Sequence, residues 1–137
     1  MVNPAQAYRS VTTQTASPGQ LILMAFDGAL KFLERARAGF QSKDPLEFNQ
    51  TIHNNVERSQ AIINELNASL NMEAGGELSS TLRRLYNYFD KRLQESNRLK
   101  QPQGIDDVIA RLTVLRSAWA QMLEQGTSQP VCTNVIP

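Results

Sequence analysis

Two residue types that build most metal and redox sites are nearly missing from this 137-residue chain, which has one cysteine, Cys132, and one histidine, His53. A single cysteine excludes an internal disulfide framework and argues against a cysteine-based zinc site. One histidine, with no Glu-x-x-His pair, excludes the di-iron carboxylate centres that some helical bundles hold. No metal or cofactor is expected. Charge of one sign is missing too: 14 Lys and Arg stand against 13 Asp and Glu, a formal net charge of +1. Nothing global draws such a chain to nucleic acid or anionic lipid. Apolar runs are short. The longest, Leu21 to Phe26, falls far below the roughly 20 residues of a membrane-spanning helix. The opening MVNPAQAYRS lacks the apolar stretch of a signal peptide. No membrane insertion is expected, and a cytoplasmic location fits.

Strand-like alternation is absent, as are internal repeats and low-complexity stretches. What is present is helical periodicity in four blocks, within a composition of 41% hydrophobic and 20% charged residues that suits one globular core. The first block runs from Pro18 to Phe40. Ser17 is placed to cap it, and Ile22, Phe26, Ala29, Leu33, Ala36 and Phe40 form its stripe. The second runs from Pro45 to Leu70. Asp44 is the cap, with Glu47 at the capping-box position, and Ser59 interrupts an otherwise apolar face. Gly75 and Gly76 break the chain before a third block, Glu77 to Arg98, carrying Leu78, Leu82, Leu85, Phe89 and Leu93. Pro102 and Gly104 mark the next turn, and the fourth block, Ile105 to Gln125, carries Ile105, Val108, Leu112, Leu115, Trp119 and Met122. Short connections between such blocks predict an all-α, antiparallel up-down-up-down four-helix bundle over residues 18–125. Residues 1–17 read as an N-terminal arm or cap helix and 126–137 as a flexible tail.

Three patterns invite a chemical reading. His53, beside the core position Ile52, resembles the lone nucleophile of a phosphotransfer bundle. The residues after it are Asn54, Asn55, Val56, Glu57 and Arg58, without the Lys and Gly of such domains. An ordinary surface histidine is the better reading, and a phosphotransfer signalling module stands as the alternative function. Arg84, Lys91 and Arg98 recur every seven residues but share their helix with Asp90 and Glu95, the pattern of a solvated face. The third pattern is excess apolar surface. The first block carries Leu21, Leu23, Leu30 and Phe32 outside its main stripe, and the fourth carries Ile109, Val114 and Leu123. A bundle core needs a stripe only a little over about 100° wide from each helix. The excess implies a broad core, a homodimer face, or a groove for an amphipathic partner. Ala5, Tyr8 and Val11, near helical spacing, suit an arm that folds back over such a groove.

The residues carry a further signal. Tyr8, the Thr15-Ala16-Ser17-Pro18 turn, Leu21-Ile22, Phe26-Asp27-Gly28 and Phe32-Leu33 resemble the start of the flagellin export chaperones, the FliS family. The stretches AIINELNASLNMEAGGEL, RRLYNYFDKRLQESN and VLRSAWAQML continue the resemblance in order to about residue 124. Where the family usually has Leu-Tyr before the Asp-Gly, this chain has Ala25-Phe26, and Ser96 replaces a frequent alanine before Asn97. The resemblance implies a non-enzymatic, cytoplasmic chaperone. It would bind the disordered C-terminal segment of flagellin, prevent premature polymerisation and deliver the subunit to the flagellar export gate. It also implies an arm that caps the surface, anchored here by Tyr8, with Ile109, Leu112, Leu115 and Leu123 as candidate groove residues. A monomer or weak homodimer is expected.

Overall fold

Ser17 begins the first helix by a reciprocal exchange. Its Oγ accepts from the Gln20 backbone N–H at 3.2 Å, while its own N–H donates to Gln20 Oε1 at 2.9 Å. The helix it starts, α1, spans Pro18–Gly39, and three others follow: α2 (Pro45–Ala68), α3 (Met72–Leu99) and α4 (Gln103–Glu124). This is a computed structural model, and it describes residues 16–126. Tyr8, Cys132 and most of the expected arm and tail therefore lie outside the described residues. No strand occurs among the described residues.

Asp44 caps α2 by accepting from the Leu46 N–H at 3.1 Å. The reciprocal bond expected from Glu47 is supplied differently, because the Asp44 N–H donates to Ser42 Oγ at 3.3 Å. The third helix starts earlier than the glycine pair suggests. Asn71 Oδ1 accepts from the Glu73 and Ala74 N–H groups, so one helical turn forms ahead of the break. Gly76 then adopts φ 54°, ψ −131°, a conformation open to glycine alone, and kinks the helix there. Gly104 is no turn residue but a buried helical one, where α4 crosses close to the backbone of α3.

Pairings between helices set the topology. Gly39 lies against Thr51 and Ile52, while Ser59 Oγ donates to the Ala29 carbonyl at 3.1 Å, so α1 and α2 run antiparallel. Rising numbers on α2 meet falling numbers on α3: Asn97 beside His53, Asp90 beside Gln60, Asn87 beside Asn67. On the other side Arg92 meets Asp107, and Arg111 lies over the Tyr88 ring. The ring of helices closes between α4 and α1, where Asp106 pairs with Arg37, Arg116 with Asp27, and Trp119 with Gly19. The order is up-down-up-down, with the α1–α2 and α3–α4 seams on opposite edges.

The core is the union of the four expected stripes, with local differences. Phe26, Leu33, Ile52, Val56, Phe89, Leu93, Ile105 and Val108 are sealed completely. Each such large side chain removed from water contributes about 1.5–3 kcal/mol. Ser59 is buried among them without an orphaned hydroxyl, because the Ala29 carbonyl accepts its proton. Leu78 is exposed and Tyr86 buried because the buried stripe runs through Ser79, Leu82, Tyr86, Phe89 and Leu93, which leaves Leu78 and Leu85 at its margin. Phe40 and Phe48 close one end of the core edge to face, their centroids 5.4 Å apart.

Candidate functional site

The expected binding residues divide by depth. Leu112 is 1% exposed and Ile109 8%, both within the core cluster. Leu115 and Leu123 are half-buried and pack against that cluster from its rim. Spacings of three and four place Arg111, Leu115, Ala118 and Met122 along one side of α4. This is the side that meets α3, because Gly104 and Asp107 of the same side contact Arg92, Ser96 and Tyr88. Tyr8 lies outside the described residues.

Across the seam, α3 contributes residues that sequence reading assigned to its core stripe or left unassigned. Leu85 is half-buried, while Leu78 and Tyr88 are 39% and 38% exposed. Thr81, Arg84, Leu85, Tyr88 and Arg111 line an open cavity of about 310 Å³ on this seam. The buried stripe of α3 is rotated toward Ser79 and Tyr86, which places Leu78 and Leu85 at its edge, a shift that apolar periodicity alone misses because Ser79 is polar. Val114, the most exposed large apolar residue of the four helices, stands further out on α4 at 69%.

Polar groups brace one end of the seam. The Tyr88 hydroxyl donates to Asp107 Oδ2, Arg92 Nε donates to the same oxygen at 3.2 Å, and Arg111 Nε donates to Oδ1 at 2.8 Å. These bonds, the tyrosine's first and then that of Arg111, hold the Asp107 carboxyl well below its ordinary value of 3.8, at about 2. Arg111 also stacks over the Tyr88 ring, its guanidinium carbon 5.2 Å from the centroid. The seam thus has a fixed, charged end and an apolar stretch whose side chains reach the surface.

His53 is exposed, as its place beside Ile52 suggested. Both ring nitrogens are engaged: Nε2 faces Glu57 Oε2 at 3.0 Å and Nδ1 faces Asn97 Nδ2 at 3.0 Å. An asparagine amide donating to Nδ1 places the neutral ring's proton on Nε2, toward the glutamate. A nucleophilic imidazole needs a free nitrogen and positive charge for the phosphoryl group. This one is bordered by an acid and an amide. Arg84, Lys91 and Arg98 are all exposed, in keeping with a solvated face. No helix is long and apolar enough to cross a membrane among the described residues.

Fold and site together define a class: a four-helix bundle with an apolar seam open at its surface. Comparison with known proteins narrows it. A family model described as "Flagellar protein FliS" matches residues 1–126. The flagellar secretion chaperone FliS of Bacillus subtilis (strain 168) is 34% identical over 122 residues, 89% of this chain and 87% of the relative. The protein of the same name from Salmonella typhimurium is 34% identical over 128 residues, 90% of this chain and 93% of its own. That of Vibrio cholerae is 30% identical over 122 residues, 85% of this chain and 86% of its own. The chain belongs to the FliS family, a family of flagellar secretion chaperones and not of enzymes.

Proposed function

We propose that this member of the family works in the cytoplasm, binds the disordered C-terminal segment of flagellin, prevents premature polymerisation and supports delivery to the flagellar export gate. The observation that carries the reading is the α3–α4 seam. The antiparallel register that sets Arg92 beside Asp107 and Tyr88 beside Arg111 brings Leu115 and Met122 of α4 level with Leu85 and Leu78 of α3, and all four are half-buried or exposed instead of sealed inside. A free segment that forms helix on such a seam exchanges conformational entropy for buried apolar area. Leu115 is the contact proposed on this side of α4, and Leu123, in step with Arg116 and Trp119, is proposed as a contact on the margin nearer α1. Ile109 and Leu112 are buried in the core cluster and are proposed to support that surface through packing, not to touch the client directly. In this reading residues 1–17 form an arm, with Tyr8 as its anchor, that covers the seam until the client displaces it. Residues 126–137 form a tail, and the bundle acts as a monomer or weak homodimer.

The test is a binding titration of the full chain against flagellin, intact and with its C-terminal segment removed. Binding is expected to be lost with the segment. Equal binding of both forms overturns the proposal.

A further inference from the structure

The opposite edge of the bundle, the α1–α2 seam, holds a second feature that the reading above does not use. Met24 and Phe32 of α1 are half-buried, yet neither packs against the core cluster. They lie two turns apart on one face, with Gly28 midway between them. Having no side chain, Gly28 lets the two helices approach. A Cβ there would already touch Ile62 Cδ1 of α2 at 3.4 Å. The result is a shallow apolar strip along the outside of the seam.

Two arginines, one from each helix, converge on the lower end of that strip. The Arg35 guanidinium carbon is 5.6 Å from the Phe32 ring centroid and that of Arg58 is 5.8 Å. Arg37, Arg92, Arg111 and Arg116 are all held by carboxylates. Arg35 and Arg58 have no carboxylate partner among the described residues. Two like charges drawn to one ring repel each other, and a carboxylate entering between them relieves that repulsion. Stacking on the ring also restricts both guanidinium planes, so less freedom is lost when they bind an anion.

Below the pair, a cavity of about 530 Å³ is lined by Arg35, Thr51, Asn55 and Glu47, among others. Asn55 is 8% exposed, its amide donates to the Thr51 carbonyl, and its Oδ1 has no hydrogen-bond partner. That oxygen suits a backbone N–H. Glu47 repels further acid there, which confines carboxylates to the arginine pair.

We infer that the α1–α2 seam is a second docking surface, whose occupant is an amphipathic protein segment with aliphatic residues at helical spacing and one or two carboxylates at one end. The aliphatic residues lie along Met24, Gly28, Phe32 and Ile62, and the carboxylates are held by Arg35 and Arg58. This surface is separate from the α3–α4 seam and does not depend on what binds there.

The probes are two fluorescein-labelled, end-blocked synthetic peptides with leucines at helical spacing, one ending in paired aspartates and the other in paired lysines. The full chain is expected to prefer the aspartate peptide by about ten-fold or more, a difference of about 1.4 kcal/mol. Arg35→Gln with Arg58→Gln should abolish the preference, and Arg35→Glu with Arg58→Glu should reverse it. Unchanged helical circular dichroism confirms that both variants fold. Leu115→Asp, on the opposite edge, should leave the preference intact. Equal binding of the two peptides, a preference that survives the charge reversal, or one abolished by Leu115→Asp would each overturn the inference.

Discussion

Trp119 Nε1 donates to the Gly19 carbonyl at 2.9 Å, joining the last turns of α4 to the first turn of α1 across 100 residues of chain. The indole also meets Phe26 edge to face, with centroids 6.1 Å apart. It is 4% exposed, so its bond is made away from water. Trp119→Phe keeps an aromatic ring, though a smaller one, and removes the donor, leaving the Gly19 carbonyl without its indole partner. The expected loss is about 1–3 kcal/mol, read as a lower urea midpoint with unchanged slope.

Gly104 and Gly76 should respond to alanine for different reasons. At Gly104 a Cβ would stand 2.7 Å from the Arg92 carbonyl and 2.9 Å from Ser96 Cβ, so α3 and α4 must separate. The gain of about 1 kcal/mol in helix propensity is expected to be outweighed by strain of about 1–3 kcal/mol. At Gly76 nothing lies within 4 Å, and the penalty comes from the backbone conformation, φ 54° with ψ −131°, on the order of 1–3 kcal/mol. Denaturation of both variants checks the costs. Chemical shifts at Arg92 and Ser96 should move for Gly104→Ala and stay fixed for Gly76→Ala.

Asp107 sets an acid-side dependence. Its folded value, about 2, lies below the ordinary 3.8. A depressed carboxylate stabilises the fold fully above the unfolded value, and that contribution fades as pH falls from about 4 toward 2. Tyr88→Phe removes the largest cause of the depression. Its folded carboxyl should titrate higher, and stability should fall less steeply with acid across that window. Denaturation midpoints measured between pH 5 and 2 (approximate bounds of the linkage window) decide it. A slope identical to that of the unaltered chain counts against the network.

Leu115 and Leu112 separate the surface from the core beneath it. Leu112→Ala empties a site that is 1% exposed and should destabilise the bundle by about 2–5 kcal/mol. Leu115→Asp, at the half-buried rim, should fold with a modest loss and weaken flagellin-tail binding by about ten-fold or more, on the order of 1.4 kcal/mol. Calorimetric titration alongside thermal melts distinguishes the two. Normal tail binding by folded Leu115→Asp would remove the α4 rim from the proposed surface.

The sequence by itself determined the four helices, because their signals are local. Ser17 and Asp44 cap, Pro18 and Pro45 start, and apolar residues recur at three and four. It also determined most of the core, since a stripe must turn inward wherever the helix packs. The resemblance in residues 5 to 124 pointed to the family before any coordinate did. What only the tertiary structure decided depends on neighbours distant in the chain. Leu78 reaches the surface because α3 turns Ser79 and Tyr86 inward, and Ile109, outside the expected stripe, is buried because the α4 interface is wider than one narrow face. Gly104 reads as a turn until α3 is laid beside it. Arg35, Phe32 and Arg58 lie on two helices, and no periodicity within either reveals that their side chains meet. Local rules fix which face of each helix is apolar. The depth of a given side chain, and its partner across a seam, follow from how the four cylinders cross.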